Sequence, residues 1–199
     1  MQPSIWESSV VCNRAYSDRQ HIIRWAGVPT GDQNESPSGD FRRDALLASD
    51  APSLKNAMDL TNNYIAIHHS NSNRFATVCF GLLEPTDGTL LYINAGHESP
   101  LLISNGILKQ RLNPTGPAVG MLPDVEFRLE RVTLNPGDAL VLYTDGVTDA
   151  RNAKDGLFSE ERLIATAVNS SGSAHAHLEN IAGRKQYDDI TLLAVQRKI

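Results

Sequence analysis

Two aspartates, Asp145 and Asp188, stand where side chains can do chemistry. Residues 140–151 read Leu-Val-Leu-Tyr-Thr-Asp-Gly-Val-Thr-Asp-Ala-Arg, so an apolar run from Ala139 to Leu142 delivers the Asp145 carboxylate onto a glycine turn at Gly146. A buried strand fixes the backbone, and the glycine permits the sharp exit that keeps an acidic side chain at the rim of a sheet. Near the C-terminus the order is reversed: Tyr187-Asp188-Asp189-Ile190-Thr191 leads into Leu192-Leu193-Ala194-Val195. If the two strands are neighbours, Asp145 and Asp188 converge, and converging carboxylates favour a hard divalent cation. The adjacent acids Asp188 and Asp189 repel each other unless a cation or a basic partner offsets them. His97 is a third candidate. It follows the small-residue turn Asn94-Ala95-Gly96, and its ring could reach a site or bond locally.

These residues must be carried by a scaffold, and its outline follows from turn chemistry and periodicity. Residues 75–83 are rich in β-formers and end at Glu84-Pro85-Thr86-Asp87-Gly88, after which Leu90-Leu91-Tyr92-Ile93-Asn94 returns, so 75–94 reads as a β-hairpin. A second hairpin over 100–108 reverses at Asn105-Gly106. Residues 125–134 alternate Val125, Phe127 and Leu129 with Glu126, Arg128 and Glu130, the period of a half-exposed strand. Asn135-Pro136-Gly137-Asp138 turns into the Asp145 strand, and the last strand runs over 190–195. Helical spacing appears over 45–66 (Leu46, Leu47, Leu54, Met58, Ile65), with Asp50 and Ser53 as candidate caps. It appears again over 159–168, capped by Ser159, and over 175–183. Residues 8–12 and 21–26 each suit one short strand or helical turn, whereas 27–40 collect Gly, Pro, Asp, Asn and Ser and read as loop. Paired hairpins with segregated helices predict an antiparallel α+β layout.

Composition narrows the function classes. A 199-residue chain suits one domain with a substantial core. Net charge is −5, with no Lys/Arg stripe, so a nucleic-acid footprint is not expected. No apolar run approaches the ~20 residues of a membrane span, and Cys12 and Cys79 read as two reduced thiols, which points to a cytoplasmic protein. Nucleophile elbows, phosphate-binding glycine loops and zinc-spaced Cys/His clusters are absent. His68, His69, His175 and His177 lack acidic or Cys companions at ligand spacing and are placed on the surface. Residues 113–120, stiffened by Pro114 and Pro117, read as a connector or a lining wall.

The order of these segments resembles the metal-dependent type-2C (PPM) serine/threonine phosphatases. The carriers are Arg74-Phe75-Ala76-Thr77, the 84–88 turn, Tyr92-Ile93-Asn94-Ala95-Gly96-His97-Glu98-Ser99-Pro100-Leu101-Leu102, Pro136-Gly137-Asp138, Leu142-Tyr143-Thr144-Asp145-Gly146-Val147-Thr148-Asp149-Ala150 and Asp188-Asp189-Ile190-Thr191. The branch most similar is the bacterial one of the sporulation stage II E phosphatase and the regulators of sigma-factor partner switching. The resemblance implies a four-layer αββα sandwich of antiparallel sheets over residues 46–199, with Mn²⁺ or Mg²⁺ at one end. It makes Asp145 and Asp188 metal ligands, with Gly146, Asp189, Asp40 and His97 as secondary candidates. No protein side chain is assigned as the catalytic group, since a metal-activated water is the expected nucleophile. The implied substrate is phosphoserine or phosphothreonine on a phosphorylated regulatory protein, an anti-sigma-factor antagonist. The departures lie upstream. Gly39-Asp40-Phe41 matches a fragment of the family's first ligand segment, but Arg42 and Arg43 stand where aromatic and acidic residues belong, and Ser49-Asp50-Ala51 lacks the glycines of the second. Residues 1–45 are therefore an atypical segment, with the opening strands missing or replaced. A degenerate homologue serving as a binding or regulatory module is the alternative reading.

Overall fold

The computed structural model describes residues 6–13, 21–27, 51–68, 75–151, 156–169 and 190–198, and among these two antiparallel sheets form. The strands are β1 (Trp6–Asn13), β2 (His21–Gly27), β3 (Thr77–Leu83), β4 (Thr89–Ala95), β5 (Leu101–Ser104), β6 (Ile107–Arg111), β7 (Glu130–Thr133), β8 (Ala139–Tyr143) and β9 (Ile190–Arg197). The helices are α1 (Ala51–His68), the single turn α2 (Asp145–Thr148) and α3 (Glu160–Asn169). The β1–β9, β9–β8, β8–β5, β5–β6, β3–β4 and β4–β7 ladders are antiparallel, and the α+β class expected from the hairpins is the one observed.

The first sheet has the order β1-β9-β8-β5-β6. Its central strand β8 is buried at all five positions, which is what an uninterrupted apolar run delivers when both faces are covered. The hairpin joining β5 to β6 turns at Asn105 (φ 50) and Gly106 (φ 71), the left-handed pair of a type I′ turn. Against this sheet α3 buries Leu163 and Ala167, which join Leu101, Val141, Tyr143, Val147, Phe158 and Leu192 in one core. The second sheet has the order β2-β3-β4-β7. Its core unites Leu54 and Met58 of α1 with Phe80, Ile93, Ala95, Val119 and Phe127.

Several sequence expectations change in detail. The atypical segment 1–45 does contribute strands: β1 pairs eight residues in register with β9, and β2 flanks β3. Strand pairing is a backbone property and does not need the ligand letters of the family motif. The strand expected over 125–134 is a ladder only over β7. Phe127 is still buried between exposed Glu126 and Arg128, so the alternation was sound, but the Arg128 N–H donates to Thr115 O, outside any strand ladder. Ser53 lies within α1 and so does not cap it. Gly146 was expected to make a sharp turn. Instead it is buried in α2 and is not among the glycines of positive φ. Asp50, the helix over 175–183, His69, His175 and His177 lie outside the described residues. His68 is exposed, as expected, and its ring lies 4.9 Å from that of Tyr64. No described helix is long and apolar enough to cross a membrane. Cys79 is a free thiol, and burial pushes its pKa up to about 12, so it is inert at neutral pH.

Candidate metal centre

The register of β8 and β9 determines what can meet at this end of the five-stranded sheet. Tyr143 pairs with Leu192, and the ladder is extended one step by the Thr144 N–H, which donates to Thr191 O at 3.0 Å. The hydroxyl of Thr144 completes the link, accepting the Thr191 N–H at 2.9 Å. Thr144 occupies the N-cap position of α2 with φ −91 and ψ 159, yet its side chain makes no cap hydrogen bond. Its oxygen serves the neighbouring strand instead. The strand carrying Asp145 is thereby tied to the start of the strand that Asp188 and Asp189 precede in the sequence.

Asp145 itself opens α2. Its carbonyl accepts from the Asp149 N–H at 2.8 Å and from the Thr148 hydroxyl at 2.9 Å, so the backbone beneath the carboxylate is held from within the turn. Val147, fully buried, pins the turn to the core. The side chain of Asp145 is partly exposed, while its Oδ1 atom is shut off from solvent. A carboxylate so held offers hard oxygen donors of the kind Mn²⁺ and Mg²⁺ take.

His97 is buried, at 3% exposure, directly after Gly96. β5 begins with Leu101 opposite Val141, so the segment feeding β5 lies on the side of the sheet where β8 ends. Glu98 is close enough that its charge bears on Tyr143. The chain thus brings Asp145 and the His97-Glu98 segment to the same end of the five-stranded sheet. Asp188, Asp189 and Asp40 lie outside the described residues, and among the described residues no three His, Cys, Asp or Glu side chains cluster closely enough to hold a metal ion. Among these described residues, the carboxylate of Asp145 is the donor whose chemistry suits a hard cation.

Three features of this neighbourhood were not legible beforehand. Tyr143, 1% exposed, donates its hydroxyl to Glu160 Oε1 at 3.2 Å, and Arg111 grips both oxygens of the same carboxylate at 3.0 and 3.1 Å. Burial, then the Glu160 charge, raises the Tyr143 phenol, and the Arg111 hydrogen bond lowers Glu160. Lys109 bonds the buried Asp138 at 3.1 Å at the turn that starts β8. The 113–120 segment is more than a connector: the Thr115 hydroxyl accepts the Asn94 N–H at 3.1 Å, and Gly116 bridges Ala95, so it buttresses the end of β4. Each of these joins residues distant in sequence, and nothing local marks such partners.

Two antiparallel sheets with helices, and an acid at the end of a central strand beside the start of its neighbour, are features of the type-2C (PPM) phosphatase fold. The chain belongs to the Stage II sporulation protein E family, which its residues 43–198 match. It is 41% identical over 150 residues to Protein IcfG of Synechocystis sp., covering 71% of this chain and 24% of IcfG. It is 23% identical over 145 residues to the phosphoserine phosphatase RsbU of Bacillus subtilis, covering 69% of this chain and 43% of RsbU. The chain therefore spans less than half the length of either relative. The catalytic domain of the serine threonine protein phosphatase PstP, solved in complex with 2 manganese ions, superposes with a TM-score of 0.62 over 98% of this chain and 99% of that one. At 14% identity that likeness is one of fold.

Proposed function

We propose that this domain hydrolyses phosphoserine or phosphothreonine on a phosphorylated regulatory protein of the anti-sigma-factor antagonist type, with Mn²⁺ or Mg²⁺ held by Asp145 and Asp188. The observation that carries the proposal is the β8 to β9 register, with Tyr143 opposite Leu192 and Thr144 bonded to Thr191. It ties the strand that ends just before Asp145 to the start of the strand that Asp188 precedes in the sequence. Membership of the family and similarity to RsbU, a phosphoserine phosphatase, support the substrate class.

In this reading the cation, when bound, supplies positive charge to the phosphoryl oxygens and lowers the pKa of water. The chain's own part is to hold the carboxylates still. Asp145 is oriented by the Thr148 and Asp149 bonds to its carbonyl, and Thr144 keeps the two strand ends at hydrogen-bonding distance. Asp189, Gly146, Asp40 and His97 are secondary participants. His97, buried after the tight Gly96 turn, is suited to orient a neighbour by hydrogen bonding.

The test is phosphate release from a phosphoserine peptide and from a phosphorylated anti-sigma-factor antagonist, with and without Mn²⁺. The proposal expects Mn²⁺-dependent release that Asp145→Ala abolishes. A second reading, a binding or regulatory module without turnover, is favoured by Arg42 and Arg43 at positions where the family carries aromatic and acidic residues. It expects weak, single-site Mn²⁺ binding, also lost in Asp145→Ala, with no phosphate release.

A further inference from the structure

The Asp145 turn sits between two sets of hydrogen bonds that reach one short segment. Tyr143, the last residue of β8, precedes Asp145 by two positions and is 1% exposed. Its hydroxyl donates at 3.2 Å to Oε1 of Glu160, the first residue of α3. On the other side of the turn, the Ser159 N–H donates to Thr148 O at 2.9 Å and the Phe158 N–H to Ala150 O at 2.7 Å. The residues before and after Asp145 are therefore tied to 158–160, and the buried Phe158 keys that segment into the core.

Sheet register explains why these groups meet. Arg111 pairs with Leu101 on β5, and Leu101 pairs with Val141 on β8, so the three stand in one row across the sheet. Side chains in one row share a face, and Tyr143 returns to that face two residues after Val141. The same face carries α3, whose Leu163 and Ala167 pack with Leu101, Val141 and Tyr143. Arg111 and Tyr143 thus both approach the start of α3. There the Arg111 Nε and Nη2 atoms donate to Oε1 and Oε2 of Glu160 at 3.0 and 3.1 Å. Such a fork fixes the plane of the carboxylate as well as its place. A phenol buried in an apolar core needs an acceptor of this kind. An ion pair with exposures of 41% and 34% contributes little to stability by itself, so holding Tyr143 is what sets Glu160 apart from an ordinary surface acid.

Given Asp145 as a cation ligand, the reading on which this rests, we propose that Glu160, locked by Arg111, is a positioning residue for that ligand. It acts through the Tyr143 hydroxyl, holding the end of β8 from which the carboxylate is presented. The Tyr143 bond fixes the chain entering the turn, and the Phe158 and Ser159 bonds fix it on leaving. Between them, Thr148 and Asp149 hold the Asp145 carbonyl. Releasing Tyr143 leaves the strand ladder to Leu192 in place but frees the last buried side chain of β8 before the turn. A loosened ligand binds its ion more weakly, because the cost of ordering it then falls on the binding step.

The experiment is Mn²⁺ titration calorimetry of the full chain, with hydrogen exchange at the Asp149 amide of the metal-free protein. Tyr143→Phe and Glu160→Ala each weaken Mn²⁺ binding at least about threefold, short of the roughly tenfold or more that loss of a direct partner of a metal ligand costs. Both also speed Asp149 exchange. The double variant is no worse than either single, because both remove the same hydrogen bond. Glu160→Gln keeps an oxygen at Oε1, which serves both Tyr143 and Arg111 Nε, and restores most of the affinity. Glu161→Gln removes a charge from the same first turn of α3 but leaves the Glu160 carboxylate, and binds as wild type. Additive losses, no rescue by Glu160→Gln, or an equal loss in Glu161→Gln would show a general effect of charge or stability and overturn the inference. Asp145→Asn separates the two levels. If it abolishes binding while Tyr143→Phe and Glu160→Ala leave affinity unchanged, the positioning role alone falls. If binding is absent in wild type or survives Asp145→Asn, the cation reading falls and this role with it.

Discussion

Thr144→Val is the substitution that most directly probes how the two strand ends are held. The side chain is 1% exposed, and valine keeps its volume and branching but removes the oxygen that accepts the Thr191 N–H at 2.9 Å. The backbone bond from the Thr144 N–H to Thr191 O at 3.0 Å survives. What changes is that the part-buried Thr191 N–H loses this acceptor, at a cost of about 1–3 kcal/mol. For a domain of this size each kcal/mol moves the midpoint by roughly 2–4 °C, so thermal unfolding should drop by a few degrees to about 10 °C. Thr144→Ser separates the causes: it keeps the oxygen and loses a methyl, costing about 0.8 kcal/mol of burial. Calorimetric unfolding of the three proteins, with hydrogen exchange at the Thr191 amide, reads the outcome. The expected order is wild type, then Ser, then Val, with accelerated Thr191 exchange in Val alone. A valine variant as stable as wild type, with Thr191 still protected, refutes the claim that this hydroxyl ties the strands.

Three further predictions follow from single contacts. Gly96→Ala forces a non-glycine residue to φ 68 and sets its Cβ 2.8 Å from the Ala118 backbone nitrogen. Left-handed strain of about 1–2 kcal/mol plus that clash should lower stability by roughly 2–4 kcal/mol, read by urea titration. Asn62→Ala removes both hydrogen bonds to the 120–122 loop from a fully buried site and should cost about 2–3 kcal/mol, with faster exchange at the Gly120 amide as its local signature. Burial raises the Asp138 carboxyl, but bonds from Ser104, the Asn135 N–H and Lys109 outweigh it and leave its pKa lowered. Its contribution is therefore present above the unfolded carboxyl pKa and lost as pH falls through the lower folded value. Asp138→Asn should be less stable than wild type by about 1–2 kcal/mol at pH 7, and the difference should shrink in thermal melts taken at progressively lower pH as the carboxylate takes up its proton.

Where periodicity and turn chemistry are local, the sequence reported the fold well. Asn105-Gly106 predicted its hairpin because two left-handed residues in succession suit little else, and Ala139 to Leu142 predicted a buried strand because apolar runs of that length bounded by turns rarely do otherwise. β1 and β2 were ambiguous because their pairing depends on β9 and β3, far away in the chain. The 145–148 segment read as a turn because Asp-Gly is a common turn pair, and Val147 in the core makes it a helical turn instead. In the candidate site, the position of Asp145 just past β8 was legible from its strand. The Tyr143, Glu160 and Arg111 network was not, since it joins three elements with no shared spacing.

The central claim is that Asp145 and Asp188 serve one cation, and Mn²⁺ titration calorimetry of wild type, Asp145→Asn, Asp188→Asn and the double variant tests it most directly. Ligands of a shared ion act as a unit, so each single substitution should weaken the same binding event at least about tenfold, and the double should be little worse than either single. Binding left intact in Asp188→Asn, or losses that simply add, would show two independent carboxylates and contradict the account.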